Sequence, residues 1–131
     1  MAATEEKPAR ILIIDDDPVV ASALGRLLRR YRVVTMVDSQ EALAHLLGGE
    51  IYDVVVCDLM MPLLSGAALH DRLMTARPEQ AKRMIFVTGG AFSLETTSFL
   101  ERVVQPVLAK PVTRADLLVH VERILGTPSA G

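Results

Sequence analysis

Residues 11–18 read Ile-Leu-Ile-Ile-Asp-Asp-Asp-Pro, four aliphatic side chains followed directly by three carboxylates and a proline. A short, unbroken apolar run is typical of a strand that is buried on both faces of a parallel sheet. Aspartates stabilise the beginning of a helix, so the acidic part of the segment predicts a turn and a helix start. The segment therefore predicts a strand that passes through an acidic turn into a helix.

An alternation of strands and helices continues along the chain. Further apolar runs occupy residues 33–37, 54–57, 84–87 and 107–109. Between them, aliphatic residues recur at helical spacing over residues 20–28, 42–47, 69–73 and 117–125, and a weaker helix is predicted over residues 94–103. Strict alternation with right-handed crossovers predicts an α/β domain, in which helices cover both faces of a parallel sheet.

Polar residues and glycines mark the predicted helix ends. Ser39 is predicted to cap the second helix. Thr113, three residues before Asp116, resembles a capping box for the last helix. The glycines at positions 48, 49 and 126 stand where helices are expected to stop.

The composition indicates one compact domain. The chain has 131 residues, of which 50% are apolar and only 4% aromatic, so we expect an aliphatic core that needs no disulfide. Lys and Arg number 14 against 16 Asp and Glu, and no basic stripe is present that could contact a phosphate backbone. We therefore expect no direct binding to nucleic acid.

The ends of the chain and its hydropathy predict domain boundaries and location. The N-terminus lacks the apolar core of a secretory signal, and no apolar run approaches membrane-spanning length. We expect a disordered segment over residues 1–9, a folded domain over 10–126 and a tail over 127–131, in a cytoplasmic protein without a membrane partner. Packed or solvated side chains, rather than reactive or metal-binding ones, are predicted for Cys57, His45, His70 and His120.

Carboxylates follow two of the predicted strands where each strand ends. Asp15, Asp16 and Asp17 follow the first run, and Asp58 follows the third. Ligands of doubly wound sheets bind beyond the carboxyl ends of the strands, so these groups converge if the two strands are neighbours. Two carboxylates about 4 Å apart repel by roughly 4 kcal/mol at an effective dielectric of 20, so the cluster must take up a proton or a cation. A site with only a few oxygen ligands, placed on short loops, suits Mg²⁺, because this ion keeps several of its waters.

Two further side chains are predicted at the same edge of the sheet. Taken alone, the acidic segment is compatible with a solvated turn. Thr88 ends the fourth strand and Lys110 follows the fifth, which adds a hydroxyl and an ammonium to the carboxylates. Carboxylates for a metal, a lysine for an anion and a hydroxyl donor together indicate a phosphoryl site.

Four segments in this order resemble the receiver domains of two-component response regulators. They read ILIIDDDP at 11–18, DLMMP at 58–62 with Ser-Gly at 65–66, VTG at 87–89 and KP at 110–111. The resemblance covers residues 10–126 and implies a flavodoxin-like, doubly wound (βα)5 sandwich with five parallel strands in the order 2-1-3-4-5. It implies a signalling switch rather than a classical enzyme, although such a domain assists its own phosphorylation and dephosphorylation.

The resemblance also implies a role for each acidic residue. Asp58 matches the aspartate that accepts a phosphoryl group from a phosphohistidine. Asp15 and Asp16 match the acidic pair that holds Mg²⁺ together with Asp58. The backbone carbonyl of Met60 is the expected further protein ligand, and Asp17 is expected just outside the acidic pair.

Other positions bear on switching and on partners. Thr88 matches the hydroxyl residue that moves toward the phosphoryl group, and Lys110 matches the lysine that pairs with its oxygens. Val107 stands where many relatives carry an aromatic residue, so the usual movement of that ring cannot operate here. The implied partners are a sensor histidine kinase or histidine phosphotransfer protein, and a downstream output protein. The resemblance is also compatible with a weak homodimer. It is compatible as well with a receiver domain that belongs to a hybrid histidine kinase.

Two other classes of protein stay open. One is a degenerate receiver fold that binds proteins without phosphorylation, against which the complete set of matching site residues argues. The other is a flavodoxin-like enzyme or cofactor carrier, because Gly89 and Gly90 could cradle a phosphate near a helix start. However, no Gly-x-Gly-x-x-Gly follows the first strand, and carboxylates at that edge would repel a phosphate.

Overall fold

We describe a computed structural model of the chain over residues 7–90 and 93–126. Within these residues there are five strands, β1 (Arg10–Ile14), β2 (Arg32–Met36), β3 (Val54–Asp58), β4 (Met84–Thr88) and β5 (Val107–Ala109). The helices there are α1 (Pro18–Leu27), α2 (Ser39–Leu47), α3 (Gly66–Ala76), α4 (Pro78–Ala81), α5 (Leu94–Arg102) and α6 (Arg114–Leu125). Residues 1–6 of the predicted N-terminal segment, and the whole predicted tail at 127–131, lie outside the described residues.

The strands form one parallel sheet in the order β2-β1-β3-β4-β5, as predicted. β1 and β3 are neighbours, with Ile11 opposite Val54 and Ile14 opposite Cys57. Parallel strands end at the same edge of a sheet, so the residues that follow β1 and β3 emerge side by side. The winding direction reverses between these two strands, which is where doubly wound sheets bind ligands.

The two hydrophobic cores of the described residues lie on opposite faces of the sheet. Leu12 and Ile14 of β1 pack with side chains of α2, α3 and α5, whereas Ile11 and Ile13 pack with side chains of α1 and α6. Successive side chains of a strand point to opposite faces, so an unbroken aliphatic run serves both cores. The edge strand β2 is only half-buried or exposed, unlike β1, β3 and β4.

The ends of α6 and α2 follow the sequence signals. Thr113 caps α6, because its side chain accepts a hydrogen bond from the N–H of Asp116. Gly126 and Gly48 are the C-cap residues of α6 and α2. These boundaries are set by local chemistry, which explains why they can be predicted without knowledge of the packing.

The start of α2 corrects one prediction. Ser39 does not cap this helix but is its first residue, and its side chain is buried. The N-cap is Asp38, whose carboxylate accepts a hydrogen bond from the N–H of Glu41 at 3.0 Å. Asp38 has extended backbone angles and stands three residues before that N–H, which is the spacing that a capping side chain needs.

The sequence pattern does not predict α4, because four residues are too few to show a helical period. Its last turn places Gln80 in the core, where the side-chain amide pairs with both backbone groups of Tyr52. The predicted helix over residues 94–103 corresponds to α5. Among the described residues, no helix combines the length and the apolar character needed to cross a membrane.

Candidate functional site

In the described part of the chain, three carboxylates meet beyond the carboxyl ends of β1 and β3. One oxygen from each of Asp15, Asp16 and Asp58 lies within 4.8 Å of the oxygens from the other two. Asp15 is 1% exposed and Asp58 is 5% exposed, whereas Asp16 faces solvent. The site thus has two carboxylates held out of water and one open to it.

The turn after β1 is held in place by its own aspartates. Oδ1 of Asp15 accepts a hydrogen bond from the N–H of Asp17 at 2.9 Å, and Oδ1 of Asp17 accepts one from the N–H of Val19 at 2.9 Å. Asp17 is therefore the N-cap of α1, and Pro18 is the first helical residue. The acidic run thus divides between a helix cap at Asp17 and the carboxylate cluster at Asp15 and Asp16.

The loop after β3 is packed tightly against the start of α3. The N–H of Met60 donates to Oδ1 of Asp58 at 3.3 Å, and the N–H of Gly66 donates to the carbonyl of Leu59 at 2.9 Å. A Cβ atom at position 66 would overlap the backbone of Asp58 and Leu59, so only glycine fits there. Ser65 is the N-cap of α3. The Ser-Gly pair therefore fixes the loop that follows Asp58 and carries Met60.

Lys110 follows β5 and joins the two buried carboxylates. Its Nζ lies 3.1 Å from Oδ2 of Asp15 and 3.4 Å from Oδ2 of Asp58. Its backbone N–H donates to the carbonyl of Thr88 at 2.8 Å, and a cis peptide bond links it to Pro111. The lysine side chain is 26% exposed, so its ammonium lies between the buried carboxylates and solvent.

The charges at this site do not balance. Burial raises the pKa of Asp58 and the neighbouring Asp15 raises it further, while Lys110 and the N–H of Met60 act in the opposite direction. Burial alone would lower the pKa of Lys110, but the two carboxylates beside it raise that pKa overall. The Lys110 ammonium contacts two of the three carboxylates, Asp15 and Asp58. One positive charge against three negative ones leaves the fully ionised cluster with an excess of negative charge.

The donor set of this cluster fits a hard divalent cation. The oxygens of Asp15, Asp16 and Asp58 are close enough to share one ion, and carboxylate oxygens are the ligands that Mg²⁺ takes in proteins. A doubly charged ion would also offset the excess negative charge. Met60, predicted to contribute a backbone carbonyl, lies in the adjoining loop two residues after Asp58.

Thr88 lies at the same edge of the sheet, at the end of β4. Its side chain is 6% exposed, and its hydroxyl accepts a hydrogen bond from the N–H of Gly90 at 3.4 Å. Asp58 pairs with Val87 across β3 and β4, so Thr88 stands one residue beyond the partner of Asp58. The hydroxyl is thus near the cluster, with its hydrogen bond directed to the following turn.

Two contacts that sequence reasoning missed connect the loop after β3 to α5. The hydroxyl of Ser65 donates to Oε1 of Glu95 at 2.9 Å, and the hydroxyl of Thr96 donates to Sδ of Met60 at 3.3 Å. The partners are 30 and 36 residues apart in the chain and belong to no common motif. No local signal could have revealed them, because they depend on how α5 packs beside the loop.

The cysteine and two of the histidines are packed, as predicted. Cys57 is buried and donates its S–H to the carbonyl of Asp58 at 3.3 Å, and burial raises the pKa of the thiol far above its usual value. His45 contacts the hydroxyl of Tyr52 at 2.7 Å. The ring of His70 lies edge-on to two phenylalanine rings, each 5.4 Å away between centroids. None of these three belongs to the carboxylate cluster.

Comparisons with known sequences agree with this geometry. The family model of the response regulator receiver domain matches residues 11–122. Transcription factor SKN7 of Saccharomyces cerevisiae is 30% identical over 115 residues, which are 87% of this chain and 18% of that protein. Hybrid signal transduction histidine kinase H of Dictyostelium discoideum is 26% identical over 121 residues, 88% of this chain and 9% of that protein. The chain spans less than a fifth of the length of either relative.

A solved structure with the same fold has a metal ion in its active-site cleft. It is the receiver domain of a sensor histidine kinase from Pseudomonas aeruginosa, with a magnesium ion coordinated in its active-site cleft. It superposes with a TM-score of 0.78 at 26% identity, covering 92% of this chain and 99% of that one. The acidic pocket of Asp15, Asp16 and Asp58 fits a phosphoacceptor site, and a degenerate receiver is not favoured. The chain belongs to the response regulator receiver domain family of two-component systems.

Proposed function

We propose that Asp58 is the phosphoacceptor of this receiver domain and that residues 10–126 form the unit that carries it. The observation that supports this proposal is the cluster itself. A buried Asp58 carboxylate lies beside the Lys110 ammonium at 3.4 Å, within reach of Asp15 and Asp16. A nucleophilic carboxylate, a cation for the incoming anion and oxygen ligands for a metal are the parts that phosphoryl transfer needs.

Asp58 acts as the nucleophile in the proposed reaction. An ionised oxygen of Asp58 attacks the phosphorus of a phosphohistidine, and an acyl phosphate bond forms. The phosphorus–nitrogen bond breaks, and its electron pair stays on the imidazole nitrogen. Burial and Asp15 raise the pKa of Asp58, whereas the Lys110 ammonium acts in the opposite direction and favours the ionised, nucleophilic form of the carboxylate.

The other site residues hold charge around the transferred group. Lys110 pairs with the phosphoryl oxygens, and the Thr88 hydroxyl turns from Gly90 to donate to one of them. Asp15, Asp16, Asp58 and the carbonyl of Met60 are the ligands that would hold Mg²⁺. When bound, the cation offsets the repulsion between the anionic nucleophile and the anionic donor.

The proposed partners follow from this chemistry. A sensor histidine kinase or a histidine phosphotransfer protein supplies the phosphohistidine, and a downstream output protein responds to the phosphorylated form. A hybrid histidine kinase is a reasonable parent protein, since one of the similar proteins bears that name. We also propose a cytoplasmic location, which agrees with these partners and with the reduced thiol of Cys57. Homodimerisation stays a prediction.

The signal is proposed to leave the site through α5. The loop after Asp58 contacts the first turn of α5 through Ser65 with Glu95 and through Met60 with Thr96. Movement of that loop on phosphorylation would therefore shift the start of α5. This route needs no aromatic ring on β5, where the chain has Val107.

A small phosphodonor tests the assignment of Asp58. The purified chain is incubated with phosphoramidate and Mg²⁺, and intact-protein mass spectrometry counts the phosphoryl groups added. We expect one group on the wild-type chain, none on Asp58→Asn, and a large loss of yield when EDTA replaces Mg²⁺. Circular dichroism checks that Asp58→Asn keeps its fold.

Asp17→Asn is the matched control for this experiment. Asp17 stands next to the cluster but caps α1, and asparagine caps a helix about as well as aspartate. This variant should accept the phosphoryl group like the wild type. Phosphorylation of Asp58→Asn in wild-type yield would overturn the proposal.

A further inference from the structure

The loop after β3 contains a backbone conformation that side chains rarely adopt. Leu63 has a φ of 70°, and it is the only residue other than glycine with a positive φ in the described part of the chain. The N–H of Leu64 donates to the carbonyl of Pro62 at 2.7 Å, so these three residues form a γ-turn. A γ-turn with a positive φ at its centre is the strained form. Glycine or asparagine would adopt this conformation more easily than leucine.

The side chain of Leu63 does not compensate for this strain within the free domain. It is 84% exposed, so its burial contributes almost nothing to folding stability. The neighbouring Leu64, in contrast, packs against the hydrophobic core. The hydroxyl of Ser39 donates to the carbonyl of Pro62 at 3.4 Å and helps to hold the turn in place. Strained residues cluster at functional sites, so an exposed leucine in such a turn indicates a contact outside the free domain.

Leu63 lies at the rim of the carboxylate cluster. Together with Pro62 and Val37 it lines a small hollow that also includes Asp16, one of the three clustered carboxylates. Val37 is 48% exposed, so the hollow has two aliphatic side chains open to water. Its volume is about 70 Å³, far below the range of small-molecule sites. A protein surface is therefore a better occupant for this rim than a small ligand.

The protein that donates the phosphoryl group is the partner that this rim fits. A protein whose phosphohistidine reaches Asp58 must lie over the edge of the sheet where Asp16 and the hollow are exposed. We propose that Leu63 is a specificity-determining residue for this protein phosphodonor, and that its side chain packs against an apolar side chain beside the donor's phosphohistidine. This inference rests on the function proposed for Asp58. It adds a contact that a small phosphodonor does not make.

Transfer from protein donors, compared with transfer from phosphoramidate, tests the role of Leu63. The donors are the histidine kinases and histidine phosphotransfer proteins of the source organism, each phosphorylated on histidine and screened against the wild-type chain. With the fastest donor, we expect Leu63→Ala to lower kcat/KM about tenfold, mainly through a higher KM. The rate with phosphoramidate should not change, because the substitution keeps the backbone turn and removes only the apolar contact.

Two further variants complete the test. Ile51→Ala is the matched control, because Ile51 is an aliphatic residue with 67% exposure at the opposite, amino end of β3. It should leave transfer from the protein donor unchanged. Leu63→Asn separates strain from contact, since asparagine tolerates a positive φ better than leucine. This variant should have a higher urea midpoint than the wild type and still lose transfer from the protein donor as Leu63→Ala does.

Three results would overturn this inference while leaving Asp58 as the phosphoacceptor. The first is an equal kcat/KM of Leu63→Ala and the wild type with the protein donor. The second is the absence of transfer from every donor to a wild-type chain that phosphoramidate labels. The third is self-association of the wild type that Leu63→Ala abolishes in sedimentation velocity, which would assign the rim to a second copy of the chain. Failure of phosphoramidate to label the wild type would instead overturn the proposed function.

Discussion

The two ends of β1 and β3 use polar residues in opposite ways. At the amino ends, Arg10 donates its backbone N–H to Asp53 at 2.7 Å and its guanidinium to Glu50 at 2.9 Å, and it lies 4.1 Å from the centre of the Tyr52 ring. Gln80 adds two hydrogen bonds to the backbone of Tyr52. Each charge in this group has an opposite charge or an aromatic face beside it.

At the carboxyl ends of the same strands, charges of one sign are crowded together. Asp15 and Asp58 share the single Lys110 ammonium, and the exposed Asp16 adds a third negative charge. A fold that only needed stability would pair or remove these carboxylates. The difference indicates that the amino ends serve the fold, whereas the carboxyl ends keep unbalanced charge for binding and chemistry.

The largest change in stability is expected at the amino ends, from Gln80→Leu. The substitution replaces the amide by an apolar side chain of similar size and leaves the buried N–H and carbonyl of Tyr52 without partners. We expect a loss of about 3 kcal/mol in the free energy of unfolding, since each unmet buried group costs about 1–3 kcal/mol. Urea denaturation measures it. Glu79→Leu, on the exposed side of α4, is the control and should change stability by less than about 0.5 kcal/mol.

A smaller loss is expected at the carboxyl ends from Lys110→Met. Removing the ammonium leaves Asp15 and Asp58 buried beside each other with no counter-charge. Without divalent cations we expect a loss of about 2 kcal/mol in the free energy of unfolding, because the lysine is partly exposed. Adding Asp58→Asn should restore most of it. The surface control Lys82→Met should have almost no effect, and an equal loss in both variants would contradict the special role of Lys110.

The smallest effect, of opposite sign, is expected from Asp58→Asn alone. Removing one buried negative charge next to Asp15 should stabilise the cation-free protein by roughly 1 kcal/mol at neutral pH, because the Lys110 attraction already offsets much of the repulsion. Added Mg²⁺ should stabilise the wild type more than the variant. Asp17→Asn is the control and should be neutral. Destabilisation by Asp58→Asn would contradict the proposed excess of negative charge at the carboxyl ends of β1 and β3.

The stability difference between Asp58→Asn and the wild type should depend on pH. Burial and Asp15 raise the pKa of Asp58 in the folded protein above its ordinary value of 3.8. The folded state then binds the proton more tightly than the unfolded state, so wild-type stability falls as pH rises from 3.8 through the folded pKa. The gain in free energy of unfolding from Asp58→Asn should therefore be small near pH 3.8 and largest above the folded pKa of Asp58. Urea midpoints at several pH values measure the difference.

Much of this fold could be predicted from local patterns. The aliphatic runs of β1, β3 and β4 are long enough to identify strands buried on both faces. The start of α6 can be predicted from Thr113, because its cap depends on a single hydrogen bond to a residue three positions later. The start of α2 cannot be predicted in this way, because Asp38 and Ser39 are both good caps and only the backbone path selects between them. The short helix α4 leaves no period in the sequence.

The candidate site divides in the same way. Carboxylates at strand ends and the lysine after β5 are visible in the order of residues, since a parallel sheet must bring such ends to one edge. The bond from Thr96 to Met60, the requirement for glycine at position 66 and the unmet nitrogens of His70 are not visible there. They depend on which side chains of distant segments come within a few ångströms of each other.

The order of residues alone was therefore enough to assign the strands, most helices, the family resemblance and the acidic edge, because all of these depend on short-range periodicity or on strand ends. Distances, burial and the sharing of Lys110 between two buried carboxylates arise only when the chain is folded. The physical reason is that charge imbalance and unmet hydrogen bonds are properties of a neighbourhood in space. Residues 15, 58 and 110 become neighbours only through the packing of β1 against β3 and of β4 between β3 and β5.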